Sequence, residues 1–414
     1  MIKRLKAVNL NIANIHFFKL ENFILYVTLI CYFVDIGNLK YVIAMFGAAI
    51  MFLIMLFRRE INQHFFYEFK SFLLAILGLA TITFVLQAKN GFNSYAINEI
   101  IYFITPLFFA FSYLQVNRGK DIEHVLNIIF LMLIVDFLVR NFSSLSLSGI
   151  LSISIVDSYS PYEGGLPFYC VIYMIYFFYK DKLSNAIVAW IFNFLSLKRL
   201  SLLCATILLV IMILKRIYDR LFPTHKRYVI NKRILYLIVI IFILIPLVIH
   251  ALLNDEFQEW FYNTFGIDID TFMLSRFTRM EVCIDNPDKV NTGLGSSTVF
   301  LTEYFQAIHT GTLVDNFNMH NDIFKIYVEC GLLGTIIFTV CYFRATKFKA
   351  FSVLLMSYVF TEMIVNHLLG AGTVSFWIVF YLILYRLNQN DTQLTCKKSL
   401  TQKSLLRKKY KLAW

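Results

Sequence analysis

The chain has 414 residues, of which 59% are hydrophobic and only 15% are charged. Soluble domains carry about 25% charged residues, so this composition excludes an ordinary soluble protein and predicts one that is embedded in lipid. The net charge of +12 would suit nucleic acid. In a membrane protein, however, basic residues mark the cytoplasmic face and meet anionic lipid, so membrane lipid and no nucleic acid is the expected partner.

Apolar runs follow one another along the whole chain. A helix needs roughly 20 residues to cross the hydrocarbon core, and aromatic residues at the ends of a shorter run extend it. The runs predict an all-α polytopic transmembrane helix bundle of about 12 spans. Residues 1–253 hold the earlier spans with short loops, residues 254–321 form a large loop, residues 322–387 hold the last spans, and residues 388–414 form a basic tail. The runs cover residues 23–36, 41–57, 71–86, 101–116, 125–139, 166–179, 183–197, 200–214, 234–253, 323–343, 351–365 and 373–385.

Lysine and arginine are concentrated in alternate connecting segments. With both termini in the cytoplasm, most of the 38 Lys and Arg residues fall on the cytoplasmic side, as the positive-inside rule requires. Residues 254–321 then lie outside and are the one segment large enough for a substrate-binding subdomain. Its first part, residues 254–272, mixes aromatic residues such as Trp260 with acidic ones, which is typical of an amphipathic helix lying in the membrane interface.

The hairpin at residues 196–201 places Lys198 and Arg199 on the outer side, where cations are disfavoured. One interpretation is that both cations anchor the turn at lipid phosphate. The functional interpretation is that Arg199 binds a phosphate of a lipid-linked substrate, because a guanidinium can hold two phosphate oxygens at once.

Arg276 and Arg279 lie three residues apart in the outer loop and share a face if the segment is helical. They are either a solvated face paired with Asp268, Asp270 or Glu281, or a second phosphate contact. The sequence leaves open which arginine would make that contact.

Two glycines follow in the same loop. Gly293 and Gly295 would let backbone N–H groups approach a ligand, although a lone Gly-x-Gly is a weak signal.

The polar triplet His320-Asn321-Asp322 stands where the outer loop enters an apolar run. A lone histidine at an interface is commonly a structural group. His320 becomes a catalytic candidate because it shares a side with the arginines and stands at a helix start that offers free N–H groups. Further along, Lys325 and Glu329 are four residues apart, which predicts a structural ion pair.

These segments occur in a fixed order: a cationic hairpin after a serine, an arginine followed by Gly-x-Gly, and His-Asn followed by Gly331-x-x-Gly334. The order resembles that of the bacterial O-antigen polymerase and O-antigen ligase superfamily of polytopic membrane glycosyltransferases. The resemblance implies diphosphate contacts at Arg199 and Arg276, with Arg279 competing for the second role. It also implies an essential histidine at His320, with Asn321, Gly293 and Gly295 as supporting residues.

The resemblance implies an enzyme of the bacterial inner membrane that works without a metal or cofactor. Within the superfamily, the sequence favours a Wzy-type polymerase, which transfers a growing glycan from undecaprenyl diphosphate onto a lipid-linked repeat unit at the periplasmic face. A chain-length regulator and a flippase are the implied protein partners. Two alternatives stay open: a ligase that transfers the glycan to lipid A core, and a non-enzymatic flippase for lipid-linked oligosaccharide.

Overall fold

The computed structural model of the protein describes residues 19–58, 63–119, 121–154, 159–162, 164–221, 231–273, 276–308 and 317–389. The predicted cytoplasmic termini, most of the basic tail and Ser275 lie outside these residues. The described part is built from α-helices; its one β contact is an isolated bridge between Ser154 and Tyr159. The helices are α1 Leu20–Phe33, α2 Leu39–Arg58, α3 Gln63–Asn90, α4 Tyr95–Asn117, α5 Ile122–Arg140, α6 Leu147–Leu151, α7 Leu166–Tyr179, α8 Leu183–Ser196, α9 Arg199–Leu221, α10 Lys232–Leu252, α11 Asp255–Phe265, α12 Ile269–Phe272, α13 Arg276–Asp285, α14 Pro287–Val290, α15 Ser296–Ile308, α16 Asp322–Arg344, α17 Ala350–Val365 and α18 Val374–Asn388.

Seven helices of the described chain are long and apolar enough to cross a membrane. They are α2, α3, α4, α5, α9, α10 and α16. Five shorter apolar helices, α1, α7, α8, α17 and α18, coincide with the remaining predicted runs. A helix of 14 residues, such as α7, is only about 21 Å long, less than the roughly 30 Å of the hydrocarbon core. The predicted all-α multi-pass bundle is therefore confirmed, while the number of spans stays a prediction.

The last helix, α18, lies at the centre of the bundle. Every one of its residues from Val374 to Asn388 is buried, including Arg386 and Asn388, and it packs against α4, α5, α7 and α17. A helix that is apolar on all sides can bury its whole surface only where other helices surround it. The outward faces of α2, α9 and α10 expose large aliphatic side chains instead, as expected of helices that meet lipid.

The predicted outer loop folds into short helices with a core of their own. Met280 and Cys283 of α13 pack with Phe300 and Leu301 of α15 and with Phe324 at the start of α16. The amphipathic segment predicted at residues 254–272 is two helices, α11 and α12, separated at Gly266, which has a φ of +67°. Aromatic residues of α11 are exposed, with Trp260 53% accessible. This small unit covers the end of the bundle where α16 begins.

Candidate functional site

His320 occupies the turn that leads into α16. Its φ of +55° is in the left-handed region, which turns the chain sharply before the helix. The next residue, Asn321, is the N-cap: its Oδ1 accepts from the Phe324 N–H at 3.0 Å and its Nδ2 lies 3.5 Å from the Met280 Sδ. Asn321 is buried and its side chain is engaged within the protein. Its visible role is to hold the turn that presents His320.

Asp322 and His367 form a hydrogen-bonded pair between the start of α16 and the segment after α17. The Asp322 Oδ1 lies 2.7 Å from the His367 Nδ1. The Asp322 Oδ2 accepts the backbone N–H of Leu368 and, at 2.9 Å, that of Leu369. The carboxylate is fully buried, whereas the His367 side chain is 15% accessible. Two backbone N–H donors therefore hold the buried carboxylate, and the carboxylate in turn orients the imidazole.

The two histidine rings are neighbours. The centroids of the His320 and His367 rings are 6.4 Å apart and their planes make an angle of 80°. Burial, together with the charges of Arg279, His367 and Arg276, lowers the pKa of His320 from 6.5 to about 4, while the charge of Asp322 opposes this shift. The His320 ring is therefore neutral at pH 7.

The two arginines of α13 reach this turn in different ways. The Arg279 Nη1 donates to the Asn318 backbone oxygen at 2.8 Å, and its guanidinium lies 5.5 Å from the centroid of the Phe317 ring. Across the described residues, no hydrogen bond or ion pair engages the Arg276 guanidinium. Burial lowers the pKa of Arg276, and Arg279 lowers it further, while Glu362 opposes both effects. Arg276 is thus a half-buried cation available to an anion.

The acidic partners considered for the arginines are engaged elsewhere. The Asp270 Oδ1 accepts the Thr278 backbone N–H at 3.0 Å, and the Glu281 Oε1 accepts from the Gln258 Nε2 at 2.9 Å. Asp270 acts on Arg279 only through its charge. Neither of these two carboxylates forms a hydrogen-bonded pair with Arg276 or Arg279.

The hairpin between α8 and α9 reaches the same end of the bundle through Glu362. The Ser201 Oγ donates to the Glu362 Oε1 at 2.7 Å, and the Asn366 Nδ2 donates to its Oε2 at 2.7 Å. Half-buried Lys198 is an electrostatic neighbour of the same carboxylate, while Arg199 is exposed at the start of α9. Glu362, which is fully buried, therefore links the hairpin to Arg276 and to the chain just before His367.

The glycines of the outer loop have a structural role that differs from the prediction. The Gly295 N–H donates to the Glu329 Oε2 at 3.0 Å, and the Gly293 N–H donates to the Glu329 backbone oxygen at 3.1 Å. A Cβ on Gly293 would lie 2.7 Å from the Thr83 Cγ2. Both residues have positive φ values and let the loop close onto α3 and α16. Glu329 engages both N–H groups, one through its backbone oxygen and one through its carboxylate, so they are not open to a ligand.

The predicted pair between Lys325 and Glu329 is wrong. The Lys325 Nζ donates to the Glu99 Oε1 of α4 at 2.6 Å, and both side chains are 3% accessible. Glu329 is bound instead by Gly295 and by the backbone N–H and hydroxyl of Ser297, at 3.0 and 2.6 Å. Lys325 therefore pairs with a carboxylate of α4 and not with the one four residues further along its own helix.

Sequence reasoning did not single out His367, and it treated Asp322 only as a polar neighbour of His320. One signal was available: His367 follows Asn366 at the end of a predicted run, on the same side as residues 254–321. Together, Arg276, Arg279, His320, Asp322 and His367 make up what we call the histidine cluster. It combines an available cation with a carboxylate-oriented imidazole, which suits anion binding and proton transfer.

The part of the chain that the structure describes holds no group of three or more His, Cys, Asp or Glu residues able to bind a metal ion. No family model, no curated protein and no solved structure matches the chain.

Proposed function

We propose that the protein is a membrane glycosyltransferase that polymerises a surface polysaccharide from lipid-linked repeat units. The observation that carries the proposal is the histidine cluster. It brings the loop arginine, the His-Asn motif and a second histidine to one end of a multi-pass helical bundle. Transfer of a glycan from a lipid diphosphate requires groups that bind phosphate and a group that accepts a proton.

The proposed donor is a glycan on undecaprenyl diphosphate, and the acceptor is one lipid-linked repeat unit. A sugar hydroxyl of the acceptor attacks the anomeric carbon, and the bond from that carbon to the diphosphate oxygen breaks. Negative charge develops on the leaving diphosphate, where Arg276 stabilises it together with Arg199. The proton of the hydroxyl passes to a histidine, and His320 is the histidine that the family resemblance implies to be essential.

The same proposal includes a topology with about 12 crossings, both termini in the cytoplasm and residues 254–321 in the periplasm of a bacterial inner membrane. Its support is the bias of lysine and arginine between alternate connecting segments. The histidine cluster then faces the periplasm, where nucleotides are absent and a lipid diphosphate supplies the bond energy. A chain-length regulator and a flippase are the proposed partners.

The test uses purified protein in liposomes with a synthetic undecaprenyl diphosphate-linked repeat unit as both donor and acceptor. The expected product is a ladder of longer lipid-linked glycans, and the Arg276→Ala protein at equal amount should produce none. In cells that lack the protein, we expect a single repeat unit on the lipid A core.

Two other results would each reject polymerisation. Transfer only to added lipid A core would identify a ligase, whose loss leaves no repeat unit on the core. Movement of the lipid-linked unit between leaflets without any new glycosidic bond would identify a flippase.

A further inference from the structure

We propose that His367, oriented by Asp322, is the proton acceptor of the transfer, and that His320 binds the substrate in its neutral form without taking the proton. This inference rests on the proposed function and assigns roles within the histidine cluster.

The first step concerns the protonation of His367. The Asp322 Oδ2 accepts two backbone N–H groups, and an ionised carboxylate can only accept hydrogen bonds. Because the Asp322 Oδ1 lies 2.7 Å from the His367 Nδ1, that nitrogen carries the hydrogen. The lone pair of the neutral ring is then on Nε2, and Asp322 stabilises the imidazolium that forms when Nε2 takes a proton.

The second step concerns access to Nε2. A Cβ built on Gly370 would lie 2.4 Å from the His367 Nε2. Any residue other than glycine at position 370 would therefore displace the imidazole ring. The ring is 15% accessible and stands at 80° to the ring of His320. The His367 side chain thus keeps some exposure and neighbours the ring of the second histidine, and glycine at position 370 leaves the Nε2 edge clear of a side chain.

The third step is the contrast with His320. No carboxylate or other group of the described residues forms a hydrogen bond with its ring. Arg276 and Arg279 are among the charges that oppose its protonation, and burial acts in the same direction. An imidazolium at His320 is thus disfavoured, whereas its neutral ring can still donate one hydrogen bond and accept another.

The chemical step balances as follows. The acceptor oxygen bonds to the anomeric carbon while the carbon–oxygen bond to the diphosphate breaks with its electron pair on the diphosphate. The hydroxyl proton moves to the His367 Nε2. The imidazolium later releases that proton to the departing diphosphate or to water, and the enzyme returns to its starting state.

The experiment compares single variants of the full-length protein in liposomes with the undecaprenyl diphosphate-linked repeat unit. We expect His367→Gln to lower kcat by about 10²–10⁴-fold, the usual contribution of positioned proton transfer, while binding of the lipid substrate is retained. His320→Gln keeps a donor and an acceptor, so it should lose no more than about tenfold in kcat. The matched control is His250→Gln, because His250 is exposed on α10, bonds Tyr327 at 3.1 Å and lies outside the cluster.

Asp322 is tested as a positioning residue. In Asp322→Asn, the amide can present N–H₂ to Nδ1 and move the ring hydrogen to Nε2, which should abolish proton acceptance without removing a histidine. Ring-¹⁵N NMR of the protein in nanodiscs reports this change directly: wild type should show the Nδ1–H form of His367, and Asp322→Asn should not. This measurement does not depend on activity, and a melting temperature for each variant checks that it is folded.

The outcomes separate the two proposals. A wild-type protein that elongates no glycan overturns the proposed function and, with it, this assignment. An active wild type whose His367→Gln variant keeps most of its kcat, or a His367 found with its hydrogen on Nε2, overturns the assignment alone. A much larger kcat loss in His320→Gln than in His367→Gln would move the proton acceptor to His320.

Discussion

Arg276 and Arg279 lie on one face of α13, yet the protein engages only one of them. Arg279 holds the Asn318 backbone oxygen and covers the Phe317 ring, so it fixes the chain just before His320. Arg276 is half-buried between the charges of Arg279 and Glu362. The two arginines should therefore differ in what their loss does.

We expect Arg279→Ala to lower the free energy of unfolding by about 1–3 kcal/mol, because it leaves the Asn318 oxygen without its charged donor. Arg276→Ala should leave stability nearly unchanged and weaken binding of undecaprenyl diphosphate at least about tenfold. Arg276→Lys should recover only part of the binding, because an ammonium lacks the planar fork. Melting temperatures and lipid-binding titrations on the purified proteins measure both effects. The reverse pattern would place the ligand contact on Arg279.

The low pKa of His320 should make the free energy of unfolding depend on pH. Its pKa is about 4 in the folded protein, against a usual value of 6.5. Between these values the unfolded chain binds a proton that the folded protein does not, so stability rises with pH across this window. His320→Gln should remove on the order of 3 kcal/mol of this rise, because one pKa unit corresponds to about 1.4 kcal/mol. Thermal melts of wild type and variant from pH 4 to pH 8 test it, and parallel curves would contradict it.

At the scale of elements, α16 is not a continuous helix. Gly331 has a φ of +70° and a ψ of −177°, a conformation that is essentially restricted to glycine. The break comes two residues after Glu329, whose carboxylate binds the loop at Gly295 and Ser297. It thus separates the part of α16 that carries the polar contacts from the part that packs in the apolar bundle.

Gly331→Ala should destabilise the protein by about 1–3 kcal/mol through backbone strain alone, because no atom lies within 4 Å of the added Cβ. The control is Gly165→Ala, where the space is equally open and the φ is an ordinary −83°. Chemical unfolding in detergent compares the two. Equal, small effects would mean that the alanine variant straightens α16 without cost.

The buried ion pair of Glu99 and Lys325 joins α4 to α16. Removing one partner of such a pair leaves an uncompensated charge, which costs about 3–5 kcal/mol, whereas replacing both with apolar residues is often tolerated. Glu99→Ala should therefore be strongly destabilising, and the double variant Glu99→Leu with Lys325→Met should recover much of the loss.

A matched control is Asp35→Ala, which breaks the ion pair between Asp35 and Lys40. The Asp35 side chain is 59% accessible. Exposed pairs contribute about 0–1 kcal/mol, so this variant should unfold almost as wild type does. A Glu99→Ala protein that is no less stable than Asp35→Ala would show that Lys325 has another compensating partner, such as Glu329.

At the scale of the whole molecule, the direction of insertion decides whether the histidine cluster meets the periplasm. In a cysteine-free background, Asn263→Cys in α11 should react with a membrane-impermeant thiol reagent added outside spheroplasts. Asp181→Cys, in the turn between α7 and α8 beside Lys180 and Lys182, should react only after the membrane is opened. Labelling in the opposite order would reverse the topology and remove the periplasmic site.

Local patterns in the sequence determined the helical framework. A run of apolar residues by itself predicts a buried or lipid-facing helix. Each predicted run therefore coincides with one of the apolar helices of the bundle. The polar triplet at residues 320–322 likewise predicted the start of α16, because a capping asparagine acts on N–H groups only two or three residues away. The shared face of Arg276 and Arg279 also follows from helix geometry within α13.

The tertiary structure decided which polar groups meet. Lys325 pairs with Glu99, which is 226 residues away, and not with Glu329 on its own helix. Asp322 bonds His367 across 45 residues, so this carboxylate orients a histidine that lies far from it in the sequence. A side chain that is buried must find its partner among whatever the neighbouring helices present, and helix packing is set by the shapes of apolar surfaces rather than by spacing along one helix. Sequence periodicity reports the faces of single helices; only their packing brings the two histidines and Arg276 to one place.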